Sequence, residues 1–184
     1  MEELDHRGYW ERGFTWAAYL RGEVRMLRPL WEGVASRVQV PEWALERAAA
    51  AGGEWRLLAI SEDWCGDASN TLPVIAALAE ASPTLELRVV KRDDNPELMD
   101  RYLTDGARSI PLVVVLDGGS RPRGRWGPRP AELQEFMLRE KRAGQRPPGD
   151  IYRDARAWYA RDRGETTLRE LLAVVEAAAG APRG

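Results

Sequence analysis

Between Trp55 and Arg142 two hydrophobic rhythms alternate along the chain, and this limits the possible folds more than any other feature. Trp55 to Ser61 reads as a strand entering a core. Asp67 to Ala81 reads as a helix, and Pro83 ends it. Leu85 to Val90 alternates and is rich in branched residues, which predicts a second strand. Asn95-Pro96-Glu97 offers a cap, a first-turn proline and a first-turn acid, so a helix is expected to about Leu103. Ile110 to Leu116 is continuously apolar, the pattern of a strand buried on both faces. Asp117-Gly118-Gly119 predicts a hairpin turn. Arg121 to Trp126 then returns as an edge strand, where Pro122 is tolerated. Pro130 begins a helix expected to reach about Arg142. The order strand-helix-strand-helix-strand-strand-helix predicts an α/β sandwich.

Helical patterns flank this unit. Thr15 can cap a helix running to about Val34, with Trp16, Tyr19, Leu20, Leu27 and Leu30 as its apolar set. Pro29 is expected to kink that helix or break it in two. Pro41 suits the start of a helix over Glu42 to Ala51, ended by Gly52-Gly53. Gln145 to Gly149 reads as a short linker. Ile151 to Ala179 reads as helix in two pieces around Gly164, with Thr167 and Glu170 as a capping box for the second piece. The expected division is a helical extension over residues 1–54 packed on the core, the core at 55–142, and a linker with helices over 143–184. A chain of 184 residues accommodates all of these in one compact domain.

Composition narrows the function classes. A formal charge of −2 gives no reason to expect nucleic acid or an anionic membrane as a partner. No segment approaches the roughly 20 apolar residues that span a bilayer. The start, Met1-Glu2-Glu3-Leu4-Asp5, is acidic and lacks a hydrophobic signal core, so a cytoplasmic location is expected. The single cysteine excludes an internal disulfide. One Cys and one His leave no thiolate or imidazole cluster for zinc, and no metal or other cofactor is expected. His6, near the N-terminus, is expected to be a solvated surface residue.

The chemistry concentrates where the first strand runs into Glu62-Asp63-Trp64-Cys65-Gly66-Asp67 and a helix follows. A cysteine at a helix N-terminus meets unpaired backbone N–H groups and the positive end of the helix dipole. Both favour the thiolate, the nucleophilic form. Ser109-Ile110-Pro111 precedes the third strand, and a proline there can hold a cis peptide bond.

These elements, in this order, resemble the thioredoxin superfamily, whose motif is Trp-Cys-Gly-Pro-Cys and whose third strand opens on an Ile-Pro step. Tyr102-Leu103-Thr104 and Trp126-Gly127-Pro128-Arg129-Pro130 are similar to a bacterial branch of the family that carries Trp-Cys-Gly-Asp and helical flanks. The resemblance implies a thioredoxin-like three-layer α/β/α sandwich. Its mixed sheet would have four strands in the order 4-3-1-2, the third antiparallel to the rest, with extra helices at both ends. It also implies a cis bond at Ile110-Pro111.

The departures from the family pattern bear on mechanism. The proline between the cysteines is Asp67 here, and the second cysteine is Ala68. The acid expected six residues before the first cysteine is Ala59. In the family that acid resembles a proton acceptor for the second cysteine, so the two absences agree. Asp67, Glu62 and Asp63 place negative charge near Cys65 and disfavour a thiolate, and no Lys, Arg or His lies within five residues of it.

Two functional readings follow. In the first, Cys65 is a monothiol nucleophile that forms a mixed disulfide, released by an external thiol. In the second, Cys65 is a small apolar residue in a redox-inactive module that binds a peptide or protein. Either way, Trp64, Gly66, Asp67, Ile110 and Pro111 are the candidate substrate contacts, and the expected partner is a protein or low-molecular-weight thiol or disulfide. Ile110 is singled out because its backbone precedes the proline and can meet an extended substrate. Trp64 fits packing as well as contact. Asp67 is read first as a first-turn charge favourable to its helix, Trp126 and Arg129 as structural, and Trp10, Trp16 and Trp31 as packing.

Overall fold

The structure, a computed structural model, describes residues 4–181. The acidic start read at Met1 to Glu3 lies outside the described residues. The elements in chain order are α1 (His6–Arg12), β1 (Phe14–Thr15), α2 (Trp16–Ala18), a π-helical turn (Tyr19–Glu23), α3 (Arg28–Ala35), α4 (Glu42–Ala51), β2 (Trp55–Ser61), α5 (Gly66–Ala81) and β3 (Leu85–Lys91). They continue with α6 (Pro96–Asp100), β4 (Leu112–Asp117), β5 (Pro122–Trp126), α7 (Ala131–Ala143), α8 (Pro148–Asp162) and α9 (Glu165–Gly180).

The strands form a five-stranded mixed sheet in the order β1-β3-β2-β4-β5. This corrects the expected four-stranded sheet. The four expected strands keep their expected neighbours: β2 is parallel to β3 and antiparallel to β4, and β4 is antiparallel to β5. The addition is β1, where Phe14 and Thr15 pair antiparallel with Val89 and Arg88. Two residues are too few to show a strand's alternation, so sequence pattern does not reveal this edge. The central strands explain their own composition. Leu57 to Ile60 in β2 and Leu112 to Leu116 in β4 are all fully buried, which requires apolar side chains on both faces.

The helices depart from expectation where local signals are weak or compete. Thr15 does cap, accepting from the N–H of Ala18 at 3.3 Å, but one helix to Val34 does not follow. The chain passes through the π-helical turn and Leu27 adopts left-handed backbone (φ 53°), so Pro29 sits in the first turn of the separate helix α3. The Asn95 side chain donates to the Lys91 carbonyl and leaves α6 without a side-chain cap; that helix ends at Asp100, short of Leu103. Thr167 and Glu170 form no capping box. Glu170 accepts from the Trp126 indole N–H and the Ala131 N–H, both at 2.8 Å, while the N-cap of α9 is Gly164, with φ 83°. His6 is a further correction. It is 7% exposed, its ring lies edge-on to Tyr102, and Nε2 shares a hydrogen bond with the Tyr102 hydroxyl.

One apolar cluster runs from Tyr9 to Ala178 and includes Trp10, Trp16, Trp31 and the buried faces of the sheet. Both flanks therefore share the central core. Helix α9 packs against α4, α5 and β5, and Arg47 of α4 pairs with both carboxylate oxygens of Glu176 at 2.7 Å. Together these contacts hold α5, whose N-terminus carries Cys65, against the end of the sheet.

Candidate functional site

Cys65 is the N-cap of α5, a 16-residue helix. Its Sγ accepts from the Ala68 N–H and its S–H donates to the Ile110 carbonyl, both at 3.4 Å. The first contact is the cap that any short polar side chain supplies to unpaired helix N–H groups. The second joins the motif to the loop before β4. The Ile110–Pro111 peptide is cis, as is Gly127–Pro128.

The thiol is 7% exposed. Burial pushes it up to about 11; the Ala68 N–H opposes this, the Asp67 charge adds to it, and the Asp67 N–H and the Arg129 guanidinium oppose it. Desolvation disfavours any charged form, so the resting state is the neutral thiol.

The nearby acids are engaged elsewhere. Glu62 accepts from the Asp93 N–H at 2.8 Å, and burial raises its carboxyl above the usual range. Asp63 accepts from the N–H groups of Arg25 and Met26 at 2.9 and 2.7 Å, and its carbonyl accepts from the Trp31 indole at 2.9 Å. Asp67 is held on two sides. Arg129 Nη2 lies 2.7 Å from one carboxylate oxygen, and the Tyr159 hydroxyl donates to the other at 2.8 Å. Burial first, then the Asp67 charge, raises the Tyr159 phenol far above the usual tyrosine range, so Tyr159 remains a donor.

The remaining candidates surround this thiol. Trp64 is 41% exposed with the Arg92 guanidinium 4.8 Å from its ring centre, a cation–π arrangement. Gly66, the first residue of α5, is exposed and, beyond its chain neighbours and its own helix backbone, has no atom within 4 Å of where a Cβ would stand. Ile110 and Pro111 are buried. The Ile110 carbonyl that could meet a substrate backbone is occupied by the Cys65 thiol.

The sequence points to a structural role for Arg129 and gives no reason to single out Tyr159. Arg129 is placed by its own run: Trp126 bonds to Glu170, and Gly127 (φ 114°) crosses the Pro111 carbonyl so closely that a Cβ would lie 2.4 Å from that oxygen. Arg129 also donates to Gln134 at 2.8 Å. The Trp-Gly-Pro-Arg-Pro run was a usable signal for Arg129. Tyr159 had none, because its position depends on how α8 folds back.

Among the described residues no group of three or more His, Cys, Asp or Glu side chains could hold a metal ion. No described helix is long and apolar enough to cross a membrane.

Comparison with known proteins places this geometry. The chain is 22% identical to a protein of unknown function from Pseudomonas aeruginosa, with a TM-score of 0.75 over 96% of this chain and 99% of that one. It is 21% identical to an HIV epitope scaffold, with a TM-score of 0.74 over 97% of this chain and all of that one. At such identities the likeness is of fold. A thioredoxin from Porphyra purpurea is 38% identical over 60 residues, which span 32% of this chain and 52% of that protein, about half its length. The thioredoxin family model matches residues 13–145. With that match over most of its length, and the helix-capping Cys65 set against the Ile110–Pro111 step, the chain belongs to the thioredoxin family.

Proposed function

We propose that this protein is a monothiol thiol–disulfide oxidoreductase of the Trp-Cys-Gly-Asp bacterial branch, acting in the cytoplasm on protein or low-molecular-weight disulfides. The observation that carries this reading is the position of the Cys65 sulfur, on the Ala68 N–H at the start of α5 and against the Ile110 carbonyl. The proton leaves to solvent and the thiolate attacks one sulfur of a disulfide. The Cys65–sulfur bond forms as the substrate's S–S bond breaks, and the other half departs as a thiolate. Ala68, fully buried where the family carries its second cysteine, offers no thiol to displace the product. An external thiol attacks the mixed disulfide, taking the substrate sulfur and returning Cys65. No cofactor is needed. Trp64, Gly66, Asp67, Ile110 and Pro111 line the approach to the sulfur.

The raised thiol sets the pace. With the thiol raised from an ordinary 9.0 to about 11, the thiolate fraction at neutral pH falls roughly 100-fold, while higher intrinsic nucleophilicity recovers roughly six- to tenfold. Exchange is then slowed roughly 10- to 16-fold. With no internal thiol the mixed disulfide persists until an external thiol arrives, and because a basic thiolate is a poor leaving group the release of Cys65 is then slow. The reading treats the flanks, residues 1–54 and 143–184, as parts of one domain with the core at 55–142, supported by their shared apolar cluster.

The same burial favours a second reading, a redox-inactive module that holds a partner at this groove without covalent chemistry. Insulin reduction separates the two. The proposal expects no multiple turnover without added monothiol, and slow turnover with it that Cys65→Ser abolishes. Turnover without added thiol contradicts the monothiol mechanism, and turnover indifferent to Cys65→Ser supports the binding module.

A further inference from the structure

The family match ends at residue 145, yet a residue beyond it reaches the start of the active helix. Tyr159, on α8, is 6% exposed and donates to Asp67 at 2.8 Å, two residues from Cys65. Asp67 and Arg129 are themselves largely enclosed, with side-chain exposures of 13% and 18%. Tyr159 stands in a small apolar cluster with Leu133 and Ala155, so its ring is fixed by packing between α7 and α8. This is a built contact, and it joins the C-terminal extension to a carboxylate two residues from the thiol whose charge acts on it.

We propose that Tyr159 is a positioning residue for Cys65: it acts through Asp67, and with Arg129 it holds that carboxylate compensated so that a thiolate can form beside it. The inference rests on the monothiol reading for its biological use, but not for its test. A carboxylate beside a thiol opposes ionisation unless opposite charge or donated hydrogen bonds offset it. Arg129 supplies the charge, and Tyr159 supplies a hydrogen bond to an ionised acceptor, stronger than a neutral one. The extension thereby does more than cover the core, because it sets how easily the thiol loses its proton.

The test is the pH–rate profile of Cys65 alkylation by iodoacetamide, read by intact mass. As Cys65 is the sole cysteine, the signal has one source. Tyr159→Phe is expected to move the profile's midpoint upward and slow alkylation at fixed pH by about two- to fivefold. Arg129→Gln is expected to do the same more strongly, about three- to tenfold, with Arg129→Lys recovering part of the loss. The decisive arm is the Asp67→Asn background, where Tyr159→Phe should no longer move the midpoint. Circular dichroism confirms folding of each variant. If Arg129→Gln does not fold, the Tyr159→Phe comparison with and without Asp67→Asn carries the test alone. An unchanged midpoint in folded Tyr159→Phe overturns the proposal, as does an equal shift in both backgrounds. Faster alkylation also overturns it, because Tyr159 would then merely shield the sulfur. Alkylation needs no disulfide exchange, so a protein that never forms mixed disulfides still passes or fails this test independently.

Discussion

Cys65 is held neutral by its surroundings, and that has a consequence for stability. Burial raises the folded-state thiol from an ordinary 9.0 to about 11. Below about pH 9 both states carry the proton and the difference between them is nearly constant. Between there and pH 11 the unfolded chain has lost its proton and the folded chain has not, so stability falls as pH rises. From pH 8 to 10.5 the protein should therefore lose about 2 kcal/mol more than Cys65→Ala, measured by denaturant unfolding at each pH. Tyrosine titrations are common to both proteins and drop out of the comparison. Parallel stability curves for the two would show that Cys65 is not desolvated. At this scale the sequence was a partial guide. Cys65, Ile110 and Pro111 were legible because the motif and the Ile-Pro step are local. Arg129 was visible only as part of a run, and its charge reaches Asp67 from 62 positions away by the numbering. His6 departs from the expected surface residue because position near a chain start says nothing about a partner such as Tyr102.

The elements that were legible are those long enough to show a rhythm. The β2, β3 and β4 segments, α4 and α5 were all recognisable with small shifts at their ends, since burial on one or both faces writes a period into the residues. The two-residue β1, the π-helical turn and the early end of α6 carry no such period. The proposed Thr167–Glu170 capping box failed because Glu170 is engaged at the start of α7, a tertiary contact that local spacing cannot reveal. Connections can matter as much as elements. Gly127 has φ 114°, and a Cβ there would stand 2.4 Å from the Pro111 carbonyl oxygen. Gly127→Ala is expected to destabilise the fold by about 2 kcal/mol or more, since both backbone conformation and space oppose the methyl group. Gly66→Ala is the control: beyond its chain neighbours and its own helix backbone, no atom lies within 4 Å of its Cβ position, so the change should be within about 0.5 kcal/mol of neutral or stabilising. Chemical denaturation of both variants checks this, and equal effects would show that Gly127 is not tightly packed on the cis-proline loop.

Across the whole molecule, a thioredoxin-family core is enclosed by helices that contribute to its site as well as to its packing. The N-terminal segment binds Asp63 through the backbone of Arg25 and Met26 and through the Trp31 indole. The C-terminal segment binds Asp67 through Tyr159. The fold class was readable in the order of strands and helices; this enclosure was not, because it joins residues far apart in the chain. Enclosure also explains how one architecture supports the chemistry proposed: a buried, basic thiol with no internal partner forms disulfides slowly and holds them. The most direct measurement is intact mass after incubating the protein at pH 8 with a disulfide-linked peptide, before and after adding a small monothiol. The account predicts a slowly accumulating one-to-one adduct through Cys65, stable when excess peptide is removed and released only when the monothiol is added. An adduct that disappears without added thiol, or a folded protein that forms none, would contradict it.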